Sequence, residues 1–210
     1  FGAPSQLPKI SDANGINKLV YAPHLYPYNL HEGGPYKAAD KKNVKDWHKE
    51  RVKDVKKHGN IPLLCGEFGV SPSSLDYDVY LKDFQTSFDA SLWHWAYWSN
   101  DNGGWSPFTY DGAETPILEH LVRAYPKATA GRIRTFNYNE TDKIFTMEFV
   151  SKANASHPTE IFIPKRFFTN GFDVVVETSA KNSYEYNESN QVVSLKVEGQ
   201  ADVKVTITAK

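Results

Sequence analysis

The chain has 210 residues and a formal net charge of −1, enough for one large domain or two small ones. Lys+Arg against Asp+Glu count 14 to 15 in residues 1–130 and 10 to 10 in residues 131–210; neither part has the basic excess that phosphate binding needs, which argues against nucleic acid as a partner. No apolar run approaches the roughly 18 residues of a membrane-spanning helix, and the single cysteine, Cys65, rules out an intrachain disulfide and cysteine-cluster zinc sites, so no metal or cofactor is expected.

Residues 1–17 are rich in Pro, Gly, Ser, Asn and Asp and read as a loop. Residues 18–26 (KLVYAPHLY) form a short β-type run, followed by a polar, Gly-containing loop to about Asp40. Over 43–58, Val44, Trp47, Val52 and Val55 recur at near-helical spacing, and Gly59 supplies a C-terminal stop. Its lysines alternate with Asp46, Glu50 and Asp54, as on a solvated helix face. Residues 61–70 are continuously apolar, like a buried parallel strand. A helical pattern over 77–88, an aromatic strand over 91–98 (SLWHWAYW) and a helix over 115–124 with Pro116 in its first turn complete this part.

This strand–loop–helix order, three times over, is the grammar of a parallel α/β fold. After residue 130 the pattern changes to short runs at 132–138, 143–150, 159–163, 173–177, 191–197 and 202–208. Several alternate apolar and polar residues, as in an antiparallel sandwich. The boundary is drawn within 126–131, giving domains at 1–128 and 129–210.

Three sites lie at the C-terminal ends of predicted parallel strands, where βα folds place their chemistry. In His24-Leu25-Tyr26 the i, i+2 spacing sends both polar side chains to one face. Glu67 follows the most apolar strand, between Gly66 and Phe68-Gly69. Trp98 ends the aromatic strand, with Asn100 and Trp105 just beyond. A carboxylate there can attack an anomeric carbon, a tyrosine and a histidine can hold it ionised and aimed, and tryptophan offers a flat face to a sugar ring. Each has a plainer reading: Glu67 as a helix cap or lysine partner, His24 and Tyr26 as structural groups, Trp93, Trp95 and Cys65 as core. Their occurrence in order on three successive strands favours the catalytic reading.

The same residues resemble the last three βα units of glycoside hydrolase family 5. His24-Leu25-Tyr26 in APHLYPY matches its His-X-Tyr, Glu67 in CGEFGV its nucleophile, and Trp98 in AYWSND its sugar platform. From YPKATAGRIRTFNYNETDKIFTMEF onward the chain is similar to the β-sandwich of the endoglycoceramidase branch. The resemblance implies the C-terminal part of a (β/α)8 TIM barrel followed by a β-sandwich. It implies a retaining glycosidase acting on glycolipids, with Glu67 as nucleophile, Tyr26 and His24 supporting it, and Trp98 binding substrate; Asn100 and Trp105, just beyond Trp98 at the same strand end, are further candidates for substrate binding. A β-glucanase, a carbohydrate-binding module and a retired structural fragment remain alternatives.

The family's acid/base Glu follows an Asn on an earlier strand; Asn139-Glu140 and Asn187-Glu188 lie in the sandwich and do not match it. A complete barrel takes about 250 residues, so the expected partner is an N-terminal barrel half, cleaved or separate, that carries this acid/base. The chain alone is expected neither to fold stably nor to hydrolyse substrate. A start at Phe1 without a signal peptide suggests processing or truncation. Sequons at Asn139, Asn154 and Asn187 point toward a secreted or lumenal glycoprotein, extracellular or lysosomal. Phe167-Phe168 with Phe172 read as sandwich core rather than lipid contact, and contact with a membrane surface stays open.

Overall fold

The computed structural model describes residues 3–9, 18–101 and 103–210; the loop expected over 1–17 falls partly outside these. The chain forms two compact units, Phe1–Leu121 and Val122–Lys210.

The first unit runs β1 (His24–Leu25), α1 (Tyr28–His31), α2 (Ala38–Lys57), β2 (Leu64–Phe68), α3 (Tyr77–Ser91), β3 (His94–Tyr97) and α4 (Ile117–Leu121). The strands form a parallel sheet in the order β1-β2-β3, which is the expected segment of a TIM barrel. The sheet is open: among the described residues β1 and β3 each pair with one strand only.

Helix α2 begins at Ala38, five residues before the periodic pattern suggested, because the Lys37 N–H donates to the Asp40 carboxylate at 2.9 Å and closes its first turn. It buries Val44 and Trp47, and the Trp47 indole N–H donates to the His24 carbonyl at 3.2 Å, tying α2 to β1. From α3, Phe84 stacks on Phe68 of β2 with ring centroids 3.7 Å apart. Trp93 and Trp95 pack at the margin of this core. Lys42 and Lys49 pair with Asp46, and Lys53 with Glu50, on the exposed face of α2. Asp54 differs from that expectation. It is buried, ion-paired with Arg51, whose Nε lies 2.8 Å away, and accepts from the Tyr21 hydroxyl at 3.1 Å, because it faces the sheet rather than solvent.

The second unit contains β4 (Tyr125–Ala128), β5 (Gly131–Asn139), β6 (Ile144–Ser151), β7 (Thr159–Phe162), β8 (Phe172–Glu177), β9 (Asn182–Asn187), β10 (Val192–Val197) and β11 (Asp202–Ala209). They make two antiparallel sheets, ordered β4-β7-β10-β9 and β5-β6-β11-β8. Alternation in β6 and β11 buries Phe145, Met147, Phe149, Val203, Val205 and Ile207 against Ile161, Val193 and Leu195 of the other sheet. Phe168 joins this core, with Phe167 and Phe172 packed at its edge. Strand β4 pairs with β7, so residues 125–128, assigned from sequence to the first domain, belong structurally to the sandwich.

Candidate active site

Strand β2 carries one more residue than either neighbour. Between the paired positions Tyr21↔Leu63 and His24↔Glu67, β1 advances three residues and β2 four. Between Cys65↔Trp95 and Phe68↔Tyr97, β2 advances three and β3 two. Such a bulge re-aims side chains. Leu63, Cys65 and Phe68 all turn into the helix-side core and are buried. Regular alternation would send Glu67 the same way as Cys65. The extra residue at Gly66–Glu67 instead places the carboxylate on the open face, beside His24.

There the Tyr26 hydroxyl donates to Glu67 Oε2 at 3.0 Å. His24 Nδ1 lies 3.3 Å from the same oxygen, with the Glu67 side chain 28% and the His24 side chain 49% exposed. Leu25, between them, is buried in the core and fixes the strand's facing. Burial, then the hydrogen bond to Glu67 and its charge, push the Tyr26 phenol well above its ordinary range. Tyr26 therefore keeps its proton and acts as donor, and Glu67 Oε2 is the acceptor. Because the Tyr26 hydroxyl and the His24 ring nitrogen both lie against Oε2, the other carboxylate oxygen is the one left to approach a substrate.

Two aromatic groups extend this cluster. The Trp105 ring lies 5.7 Å from Tyr26 and 5.6 Å from His31, and His31 lies 5.7 Å from Tyr26. The Tyr97 hydroxyl is 2.9 Å from both the Val70 and Trp105 carbonyls, pinning the loop after β2 to the loop after β3. Trp98 is 50% exposed just past β3, with its N–H on the Phe68 carbonyl at 2.8 Å. A side chain at Gly69 would collide with the Trp98 carbonyl and meet Trp105 Cε3 at 3.2 Å. Asn100 is exposed in the loop after Trp98, outside the group bonded to Glu67.

The structure thus brings Glu67, Tyr26 and His24 into direct contact and sets Trp105 against Tyr26. Sequence reasoning missed His31, which lies at the end of a helix too short to leave a periodic signal, and Tyr97, hidden in an aromatic run. Cys65 is fully buried and burial pushes its thiol up to about 12, so it is a packed, protonated side chain. Among the described residues no three His, Cys, Asp or Glu side chains converge as a metal site would. Asn139-Glu140 and Asn187-Glu188 sit at the ends of β5 and β9, and Glu188 is paired with Lys165 at 2.7 Å.

Residues 3–104 match the family description "Cellulase (glycosyl hydrolase family 5)", and residues 123–208 match "Glycoside hydrolase family 5 C-terminal domain". Endoglycoceramidase I of Rhodococcus hoagii is 27% identical over 161 residues, covering 73% of this chain and 28% of that protein. Endo-glycoceramidase II from Rhodococcus sp., solved in complex with ganglioside GM3, superposes with a TM-score of 0.87 at 26% identity, covering 100% of this chain and 46% of that one. The same enzyme, solved as a lactosyl-enzyme intermediate, gives 0.85 at 27% identity and covers the same shares. Sterylglucosidase 1 of Cryptococcus neoformans shares the fold, with a TM-score of 0.71 at 16% identity over 98% of this chain and 40% of its own. The chain therefore spans under a third of the curated relative and about half of the solved ones.

Proposed function

The chain belongs to glycoside hydrolase family 5, and on that premise we propose that it supplies the nucleophile half of a retaining β-glycosidase that releases glycan from ceramide. One observation carries the reading: a partly exposed carboxylate at a parallel strand end, with one oxygen bonded to the Tyr26 hydroxyl and facing the His24 ring. The relative's lactosyl-enzyme intermediate and its ganglioside complex support the covalent mechanism and the glycolipid class.

In the first step the free oxygen of Glu67 gives an electron pair to the anomeric carbon, and the bond to the aglycone oxygen breaks. A second carboxyl group, protonated and about 5–5.5 Å from the nucleophile in retaining enzymes, gives its proton to that leaving oxygen and is left as a carboxylate. It then takes a proton from water, which attacks the anomeric carbon and frees Glu67. As negative charge leaves Glu67 on bond formation, the hydrogen bond from Tyr26 sets its orientation and strengthens again when the charge returns, with His24 facing the same oxygen. Trp98 and Trp105 offer faces on which pyranose C–H groups stack.

The acid/base belongs to the barrel half that β1 and β3 leave room for at their open edges. Bare parallel edges and an uncovered sheet face are costly, so the chain purified alone neither folds stably nor turns over substrate. A single 24 kDa species with full glycosidase activity would refute this. The three sequons support a secreted or lumenal setting, in keeping with a role in sphingolipid breakdown. Glu67→Gln in the complete enzyme tests the assignment: turnover is abolished while glycan binding persists. Unchanged hydrolysis would remove Glu67 from the chemistry, and lost binding with an intact fold would favour a carbohydrate-binding module.

A further inference from the structure

The residue before the carboxylate is a glycine, and its backbone does not require one. The φ of Gly66 lies outside the left-handed region, so its conformation is open to any residue. What excludes a side chain is space. A Cβ at Gly66 would stand 3.0 Å from His24 Nε2 and 3.2 Å from His24 Cδ2. Its next neighbour, the Ala22 carbonyl oxygen, is at 3.7 Å, an ordinary contact. Only the imidazole occupies the room.

We propose that Gly66 is a positioning residue, whose missing side chain is the berth that lets His24 reach Glu67. This rests on the reading of Glu67 as the reactive carboxylate. The imidazole is rigid and spans the two residues: its Nε2 edge lies over Gly66 and its Nδ1 faces Glu67 Oε2 at 3.3 Å. That separation is already just beyond the roughly 2.7–3.2 Å of an N–H···O hydrogen bond, so the contact has no slack to lose. Pushing the Nε2 edge outward by a few tenths of an ångström moves the whole ring and opens the contact. His24 is half exposed, so the ring escapes toward the open face instead of straining the core. The effect of a methyl group at 66 therefore falls on orientation, and the fold survives it. The bulge and the glycine act together: the bulge turns Glu67 to the open face, and Gly66 lets its histidine partner lie flat against the same strand.

A double-mutant cycle in the complete enzyme tests this. Gly66→Ala lowers kcat/KM by about tenfold, mostly through kcat, as expected for a sub-ångström misplacement. His24→Ala lowers it at least as far. In the His24→Ala background there is no ring to displace, so adding Gly66→Ala changes neither kcat/KM nor the thermal midpoint. Full activity in Gly66→Ala, full activity in His24→Ala, or losses that multiply in the double variant would each overturn the proposal. Glu67→Gln separates the two levels: if it keeps turnover, the reading of Glu67 falls, and if it is inactive while the cycle is additive, only the role of Gly66 falls.

Discussion

Replacing Tyr26 by Phe removes one oxygen from the candidate site and leaves the rest of the ring in place. Trp105 and His31, each within 6 Å of the ring centroid, hold the phenyl group where the phenol was. The lost contact is a half-buried hydrogen bond to a carboxylate at 3.0 Å, and bonds of this charge-assisted kind contribute about 1.5–3 kcal/mol. At about 1.4 kcal/mol per decade, Tyr26→Phe lowers kcat/KM by roughly ten- to hundredfold. The assay is hydrolysis of a soluble aryl β-glycoside by the complete enzyme, read as kcat/KM, with the thermal midpoint recorded beside it. The midpoint falls by only a few degrees, since each kcal/mol shifts a domain of roughly 150–250 residues by about 2–4 °C and a larger protein by less, and the enzyme stays folded at the assay temperature. A change in kcat/KM below twofold would show that the bond does not act on the reacting carboxylate. A large loss accompanied by unfolding would show that Tyr26 is structural.

Trp98→Ala removes a half-exposed ring face and raises KM for glycan substrates by about tenfold with a smaller fall in kcat, the pattern of lost ground-state binding; an unchanged KM would take Trp98 out of the substrate path. Burial lowers the pKa of His48 below its ordinary 6.5, while its Nε2 lies 2.8 Å from the Ser91 hydroxyl between α2 and α3. The unfolded chain then binds this proton more readily, so stability is full above pH 6.5 and is lost as pH falls toward the folded value. His48→Gln flattens that slope in chemical denaturation between pH 7 and 5, and an unaltered slope would refute the assignment. Among the sequons, the Ser189 hydroxyl donates to Asn187 Oδ1 at 2.7 Å at an exposed turn, whereas the Asn139 amide is tied to Asp142 at 2.7 Å. In a secretory eukaryotic host, peptide mass spectrometry shows glycan at Asn187 and none at Asn139; the reverse occupancy would contradict this.

The site was legible because its parts are local. The i, i+2 spacing of His24 and Tyr26 and the apolar strand leading into Glu67 each need only a few consecutive residues to be read. The bulge was not legible. LLCGEFGV reads as one continuous apolar strand, and the extra residue exists only relative to the partners on β1 and β3. Two strands of the second unit also went unseen, and both lie at the edges of the same sheet, β4-β7-β10-β9. These two strands are exposed at nearly every position, so Tyr125-Pro126-Lys127-Ala128, with its proline, and the polar run 182–187 show no buried apolar set to detect. The central strands β6 and β11 alternate strongly for the opposite reason: each packs one face on the core, and their neighbours satisfy both edges.

The Glu67 assignment meets its most direct test in trapping the covalent intermediate. The complete enzyme is inactivated with a 2-deoxy-2-fluoro β-glycoside carrying a good leaving group, then digested and its peptides mapped by mass. One equivalent of glycosyl label on the Glu67 carboxylate, in the peptide containing CGEFGV, is the predicted result. Label on another carboxylate, or full turnover of substrate with no label at Glu67, would contradict the account.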